Sequence, residues 1–145
     1  MRSGEPDDVG RFSVEIEVAN YADMIRAQDG RLPPDQVRRE TITGVVDSGA
    51  VRLVLPEAVV KRLGLPLGDP IPVKYADNRR ARRRLVKGVF AQLLGRDGTF
   101  TAVVEPKRDT ARIGAIVLED LDFLVDCKNS RLVPRDPSGP LSEIE

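Results

Sequence analysis

The residues best suited to chemistry are a carboxylate and a hydroxyl that a short apolar run delivers into a tight turn, in residues 44–50 (GVVDSGA). Val45 and Val46 are β-branched and favour a buried strand, which Asp47 ends. Gly49 lets the backbone approach closely or take a positive φ. A carboxylate in such a turn is costly unless it is hydrogen-bonded or used, so Asp47 is the first candidate for a catalytic group.

A second stretch, near the C-terminus, completes a pattern with the first. Residues 112–118 (RIGAIVL) combine an apolar strand, a glycine and a short helix. Asp47-Ser48-Gly49 after two apolar residues resembles the Asp-Thr/Ser-Gly signature of aspartic proteases, and residues 112–118 resemble the second conserved block of retropepsins. From residue 11 to residue 134, the order and spacing of the parts are similar to the single-domain retropepsin-like family, including its bacterial members.

This resemblance implies an all-β acid-protease barrel with one or two short helices, active as a two-fold homodimer. Aspartic peptide hydrolysis needs two carboxylates flanking one water, one ionised and one protonated, because neighbouring like charges split their pKa values. The chain has one such signature, so the second carboxylate is implied to be Asp47 of the partner subunit. We therefore predict an aspartic endopeptidase that acts on a peptide or protein and uses no metal or organic cofactor.

The resemblance also assigns roles around the catalytic Asp47. Ser48 is implied to lock the two active-site loops of the dimer together through hydrogen bonds. The Gly49 amide is implied to help hold the carboxylate, and Ala50 completes the supporting loop.

The second block is implied to lie behind this loop, with Ile113 and Gly114 as structural residues near the dyad. Viral retropepsins follow this glycine with Arg and Asp or Asn, whereas this chain has Ala115 and Ile116. The ion pair that braces viral dimers must therefore be absent or replaced.

Composition excludes several other kinds of site. The chain has 145 residues, with 23 Lys and Arg, 23 Asp and Glu and no histidine. Without histidine, a Ser-His-Asp or Cys-His mechanism and a histidine-ligated metal are impossible within this chain. The single cysteine, Cys127, cannot form an internal disulfide and lacks a base of the usual kind to activate it, so we expect an apolar filler or an exposed thiol.

The length favours one domain, flanked by two polar ends. Residues 1–10 lack the apolar core of a signal peptide and are predicted to be a flexible arm. Residues 11–134 form the expected protease domain, and residues 135–145, rich in Pro, Ser and acids, a flexible tail. Because no run approaches the length that spans a bilayer, we expect a cytoplasmic protein without a membrane partner.

The hydrophobic pattern predicts the elements that position Asp47. Residues 12–18 alternate between apolar and polar, which is typical of a half-buried strand. Asn20 is a candidate helix cap, and residues 20–36 look like an insertion relative to compact viral retropepsins, as a surface decoration or a functional lid. Residues 37–46 are predicted as the strand that ends at Asp47.

Further elements follow from the same patterns. Asp97-Gly98 is a strong two-residue signal for a hairpin turn. Strands are predicted over residues 53–55, 71–75, 85–94, 99–105, 123–126 and 131–133, and helices over residues 56–63 and 116–121.

A polar tip between two strands, within residues 75–88, resembles the flap of a retropepsin. Such a flap closes over an extended peptide and excludes bulk water. Gly88 is a candidate bulge or hinge on its returning strand. The residues predicted to bind substrate at its tip are Tyr75, Ala76, Asp77, Asn78 and Arg79.

Five arginines in residues 79–84 also need an explanation. They indicate either a solvated hairpin that discourages edge pairing, or contact with an acidic substrate or an acidic segment of the partner subunit. A nucleic acid is not an expected partner, because the run contains no aromatic residue and the chain is neutral overall.

Two other classes of function stay open. The chain could keep the retropepsin fold as a peptide-binding or self-association module without useful hydrolysis, as the changed residues after Gly114 suggest. It could also be a small β-barrel that binds nucleic acid through the arginine run, with Asp47 as a structural turn residue.

Overall fold

The computed structural model describes residues 11–145, and the predicted N-terminal arm lies outside them. Nine strands and three short α-helices make up this part of the chain, so the all-β prediction is confirmed with one helix more than expected. The elements are β1 (Phe12–Asn20), α1 (Tyr21–Gln28), one turn of 3-10 helix (Pro34–Gln36), β2 (Arg39–Val46), β3 (Leu53–Pro56), α2 (Glu57–Leu63), β4 (Pro70–Lys74), β5 (Arg80–Leu93), β6 (Arg96–Glu105), β7 (Ala111–Ile113), α3 (Ala115–Asp120), β8 (Phe123–Asp126) and β9 (Arg131–Pro134).

Six strands close into a barrel in the order β1, β2, β7, β3, β6 and β5, with β5 pairing back to β1. Neighbours are antiparallel except for the parallel pairs β2 with β7 and β3 with β6. Closure removes the open edges of the sheet. β4 stays outside the barrel and pairs only with the first residues of β5, so these two strands form a projecting hairpin with β4 at its edge, a position that tolerates its prolines.

The interior of the barrel is apolar and its strands follow the predicted alternation. Ile16 and Val18 of β1 are fully buried, whereas Ser13 and Glu15 on the same strand are exposed. Burial of such side chains supplies most of the driving force for folding. The largest fully buried side chains are Ile16, Leu53, Leu55, Leu63, Leu93, Ile113 and Leu121.

The insertion after β1 is packed onto the barrel through polar contacts. The Asn20 side chain caps α1 by accepting from the Asp23 amide at 3.0 Å, as predicted, and donates to the Leu63 carbonyl of α2 at 2.8 Å. Asp23 is only 2% exposed and accepts two hydrogen bonds from the Arg38 guanidinium. These bonds hold α1 against the start of the strand that leads to Asp47.

The turn between β5 and β6 differs from the prediction. Leu94 and Gly95, both with positive φ, form the two-residue turn, whereas Asp97 and Gly98 pair with β5 inside β6. A Cβ on Gly98 would lie 2.8 Å from a carboxylate oxygen of Asp120, so this glycine permits close packing against α3. The Asp-Gly turn signal was therefore wrong.

The long strand β5 also carries most of the arginine run. Arg80 begins the strand, so the arginines from this position onward lie in β5 and not in the polar turn where they were expected. Gly88 has φ +73° and lies where the register with β6 shifts, which confirms the predicted bulge.

The C-terminal hairpin of β8 and β9 is confirmed. Arg96, which is buried, donates to the carbonyls of Leu121 and Asp122 at 3.0 and 3.1 Å, and the Leu141 amide donates to the Asp122 carboxylate at 3.0 Å. Within residues 11–145, the helices are all too short to cross a bilayer.

Candidate active site

Asp47 follows directly after β2, in a turn that backbone hydrogen bonds define. The Asp47 amide donates to the Ile113 carbonyl of β7 at 3.0 Å, and the Ala50 amide donates to the Asp47 carbonyl at 3.1 Å. The β-branched residues before Asp47 extend the strand, and Ser48 and Gly49 let the chain reverse at the surface, where both are exposed. The loop thus presents Asp47 at one end of the barrel.

The segment after β7 packs directly behind this loop. The Ala115 amide donates to the Ala50 carbonyl at 2.8 Å, and the Ile116 amide donates to the Val51 carbonyl at 3.0 Å. A Cβ on Gly114 would lie 2.6 Å from the Arg52 carbonyl oxygen, so only glycine allows this approach. The two stretches that carry the retropepsin resemblance are therefore in contact.

The carboxylate of Asp47 is held from both sides. The Gly49 amide donates to Oδ1 at 3.0 Å. Oδ2 accepts a hydrogen bond from Nη1 of Arg112, and Nη2 of Arg11 lies 3.5 Å from it. The side chain of Asp47 is 12% exposed, so this ion pair is largely shielded from solvent.

These contacts set the protonation state of Asp47. Burial raises the pKa of the carboxyl group, but the hydrogen bond from Arg112, the charge of Arg11 and the Gly49 amide outweigh it. The pKa of Asp47 therefore lies below its ordinary value of 3.8, and the group is ionised in the single chain.

Sequence reasoning missed Arg112, although the register explains its position. β7 runs parallel to β2 with Arg112 opposite Val45 and Ile113 opposite Val46, so the strand places the guanidinium beside the end of β2. The available signal was a single arginine between the apolar residues Ala111 and Ile113. A charged side chain in a short apolar strand needs a partner.

The tip of the β4–β5 hairpin is a closed turn. The Tyr75 amide donates to the Arg79 carbonyl and the Asn78 amide to the Tyr75 carbonyl, both at 2.9 Å. Ala76, Asp77, Asn78 and Arg79 are exposed. The Tyr75 hydroxyl donates to the Glu105 carboxylate at 2.6 Å, which anchors the tip to the end of β6.

The arginines of β5 alternate between two faces of the hairpin. Arg83 faces Glu105, to which its Nε donates at 2.9 Å. Arg80, Arg82 and Arg84 are exposed on the other face, as a solvated hairpin edge requires.

The predicted site residues thus fall into two groups. Asp47, Gly49 and Ala50 lie together with the Ile113-Gly114 segment, while the hairpin tip lies with Glu105; among residues 11–145, no hydrogen bond or ion pair joins the groups. Burial lowers the pKa of Arg108, and the charges of Arg112 and Arg11 lower it further against the opposing effect of Glu105. Within the same range, no three His, Cys, Asp or Glu side chains cluster as a metal site would need.

Comparison with protein-family models and with curated proteins finds no match for this chain. The retropepsin resemblance rests on the residues and their geometry, and it stays a prediction.

Proposed function

We propose that this protein is a retropepsin-type aspartic endopeptidase that works as a homodimer. The observation that carries the proposal is the placement of Asp47: its carboxylate lies at the end of a barrel strand, held by the Gly49 amide at 3.0 Å, in a loop braced from behind by Gly114. A carboxylate fixed in a glycine-supported loop is the arrangement that water activation needs once its arginine partner has left.

The chemistry pairs Asp47 with Asp47 of the partner subunit across a two-fold axis. One carboxylate is ionised and takes a proton from the attacking water, while the other is protonated and donates to the carbonyl oxygen of the scissile bond. When the resulting diol collapses and the C–N bond breaks, the carboxyl group that took the water proton gives it to the leaving nitrogen, and the other carboxylate takes a proton back from a diol hydroxyl, which restores the dyad. The pair titrates as one unit, so neither residue has a pKa of its own.

Arg112 must leave Oδ2 before this dyad can form. A guanidinium beside a carboxylate favours the ionised form, whereas the dyad needs one shared proton. We infer that the ion pair belongs to the unpaired chain and that the approach of the second subunit and the substrate displaces the guanidinium.

Beside the loop, this chain exposes an apolar surface that a second subunit can contact. Val51 is 64% exposed and Ile116 is 43% exposed, and the two are joined by the hydrogen bond between the Ile116 amide and the Val51 carbonyl. Exposed apolar side chains that lie together are typical of interaction surfaces. In the proposed dimer, contacts of these apolar side chains take the place of the ion pair that braces viral dimers.

The β4–β5 hairpin is proposed as the flap. It projects from the barrel as a two-stranded extension, and its tip is held by one hydrogen bond between Tyr75 and Glu105. An extended peptide can add as a strand between this hairpin and the floor of the cleft, which excludes water from the reacting bond.

The direct test is cleavage of an unfolded protein by the wild type and by Asp47→Asn across pH, at concentrations that favour dimers. Asparagine keeps an oxygen for the Gly49 amide but cannot take a proton from water. We expect cleavage by the wild type alone. Equal cleavage by both proteins would remove Asp47 from the mechanism.

A second candidate is a peptide-binding module of the same fold that does not hydrolyse its ligand. The ion pair of Arg112 with Asp47 favours this function, because a carboxylate whose charge is balanced by a guanidinium is suited to a structural role. This function predicts no cleavage by either protein and peptide binding that Asp47→Asn leaves unchanged.

A further inference from the structure

A groove of about 410 Å³ lies between the tip of the β4–β5 hairpin and the segment that follows β6. We call it the cationic groove. Its lining includes Tyr75, Arg79, Arg83, Glu105, Lys107 and Arg108.

The groove carries more positive charge than its one carboxylate can balance. Glu105 already accepts from the Tyr75 hydroxyl at 2.6 Å and from Arg83 at 2.9 Å. Arg79 lies over the Tyr75 ring, 4.2 Å from its centroid, and forms an ion pair with the exposed Asp77 at 3.8 Å. Among residues 11–145, Lys107 and Arg108 form no ion pair within 4 Å, so the part of the groove that these residues build has a net positive charge that favours an anion.

Arg108 is the groove residue best suited to bind an anion. Arg108 is half-buried, and its Nε donates to the Thr110 carbonyl at 3.2 Å. Burial lowers the pKa of Arg108, and the charge of Arg112 lowers it further against the opposing effects of Glu105 and Asp109. A guanidinium that is desolvated and repelled by its neighbours gains most from a carboxylate, which it can bind with two parallel hydrogen bonds.

The groove lies along the hairpin that is proposed as the flap, since Tyr75 and Arg79 line it. Arg112, whose charge acts on Arg108, donates directly to the Asp47 carboxylate. A peptide that lies across Asp47 and under the hairpin therefore passes the groove with side chains close to the reacting bond.

We propose that the cationic groove binds an acidic side chain of the substrate, so that the enzyme prefers peptides with Asp or Glu a few residues from the cleaved bond. That the bound peptide is a substrate rests on the proposed function, but binding of a peptide to the groove can be tested without cleavage. The bound group is a carboxylate of a peptide, held by Arg108 and Arg79.

The binding test uses Asp47→Asn, which cannot cut, and two labelled decapeptides of one apolar sequence that carry either four glutamates or four glutamines. We expect the glutamate peptide to bind about tenfold more tightly at low salt, as charge-assisted hydrogen bonds should produce. Adding Arg79→Gln and Arg108→Gln should abolish the preference. The matched control adds Arg80→Gln and Arg82→Gln, which remove the same charge from the exposed face of β5 and should retain it.

Equal binding of the two peptides, or the same loss in the groove and control variants, would overturn the proposal.

The second arm maps the sites at which the wild type cuts an unfolded protein. Enrichment of Asp and Glu near the cuts, lost in Arg79→Gln with Arg108→Gln but kept in the control, supports the groove. Cleavage without such enrichment would overturn the proposed role of the groove but not the proposed protease function. Preferential binding of the glutamate peptide without any cleavage would overturn the protease function but not the role of the groove.

Discussion

Arg112 donates a hydrogen bond to Oδ2 of Asp47, a residue 65 positions earlier in the chain. The parallel pairing of β7 with β2 creates this contact, since it places Arg112 opposite Val45 and next to the end of β2. The candidate catalytic group of the single chain is consequently an ionised and paired carboxylate. The proposed activity therefore requires that dimer formation replace Arg112, as the partner of Asp47, with the carboxylate of the second subunit.

Replacing Arg112 with Gln should raise the pKa of Asp47. Burial would then act on the carboxyl group with only Arg11 and the Gly49 amide opposing it. The change is measured by NMR titration of the aspartate carboxyl carbons at concentrations low enough to keep the chain monomeric. Arg39→Gln, which removes a charge that pairs with Glu17, is the matched control and should leave Asp47 unchanged. An unaltered pKa in the Arg112 variant would show that the ion pair does not form.

Replacing Gly114 with Ala should destabilise the fold by about 2 kcal/mol, because overpacking against fixed atoms costs energy of this order. The new methyl group meets the backbone carbonyls of Arg52 and Ala50 at 2.6 and 2.8 Å, and these atoms belong to the loop after Asp47. Urea unfolding measures the loss. Gly49→Ala is the comparison, since its Cβ meets only the Asp47 side chain, at 3.3 Å, and a smaller loss is expected. Equal stability of Gly114→Ala and the wild type would mean that the two segments are not in contact.

A charge at Ile116 should weaken the dimer without unfolding the chain. Ile116→Glu places a carboxylate on the exposed apolar surface next to Val51, which the proposed dimer buries. The dimer dissociation constant, measured by analytical ultracentrifugation, should rise at least about tenfold, equivalent to about 1.4 kcal/mol. Leu124→Glu, at an exposed position of the β8–β9 hairpin, should leave it unchanged. If both variants dimerise like the wild type, this surface is not the interface.

The contact between Asp23 and Arg38 predicts a pH dependence of stability. Hydrogen bonds from Arg38 lower the pKa of Asp23 below its ordinary value of 3.8, against the opposing effect of burial. The ionised form therefore stabilises the fold above about pH 4, and this contribution is lost as the pH falls through the lowered folded value. Asp23→Asn should cost on the order of 1 kcal/mol at pH 7 and should lose less stability than the wild type on acidification. Chemical denaturation at a series of pH values measures the stability of both proteins. An equal loss of stability in the two proteins below pH 4 would contradict this prediction.

Local patterns predicted much of the fold. The alternation along β1, the Asn20 cap and the bulge at Gly88 each depend on residues close together in sequence, and each is present. The same holds for the loop that carries Asp47, because β-branched residues favour a strand and the Ser and Gly that follow favour a turn.

Contacts between distant segments were not predictable in the same way. The turn between β5 and β6 is set by their register, which pairs Leu93 with Arg96 and places the turn at Leu94 and Gly95. The partners of Asp47 and Asp23 were equally hidden, because Arg112 and Arg38 reach them only through strand pairing and the packing of α1. A carboxylate motif thus indicates where chemistry could occur, while its protonation state depends on the tertiary structure.

Mixing of subunits tests whether one active site needs Asp47 from two chains. Wild type and Asp47→Asn are combined in equal amounts at a fixed total concentration, allowed to exchange, and assayed for cleavage of an unfolded protein. A shared dyad predicts that only wild-type homodimers cut, which leaves about one quarter of the activity of undiluted wild type when pairing is random. Retention of about one half would mean that each chain works alone, and the account of a dyad across the dimer would be contradicted.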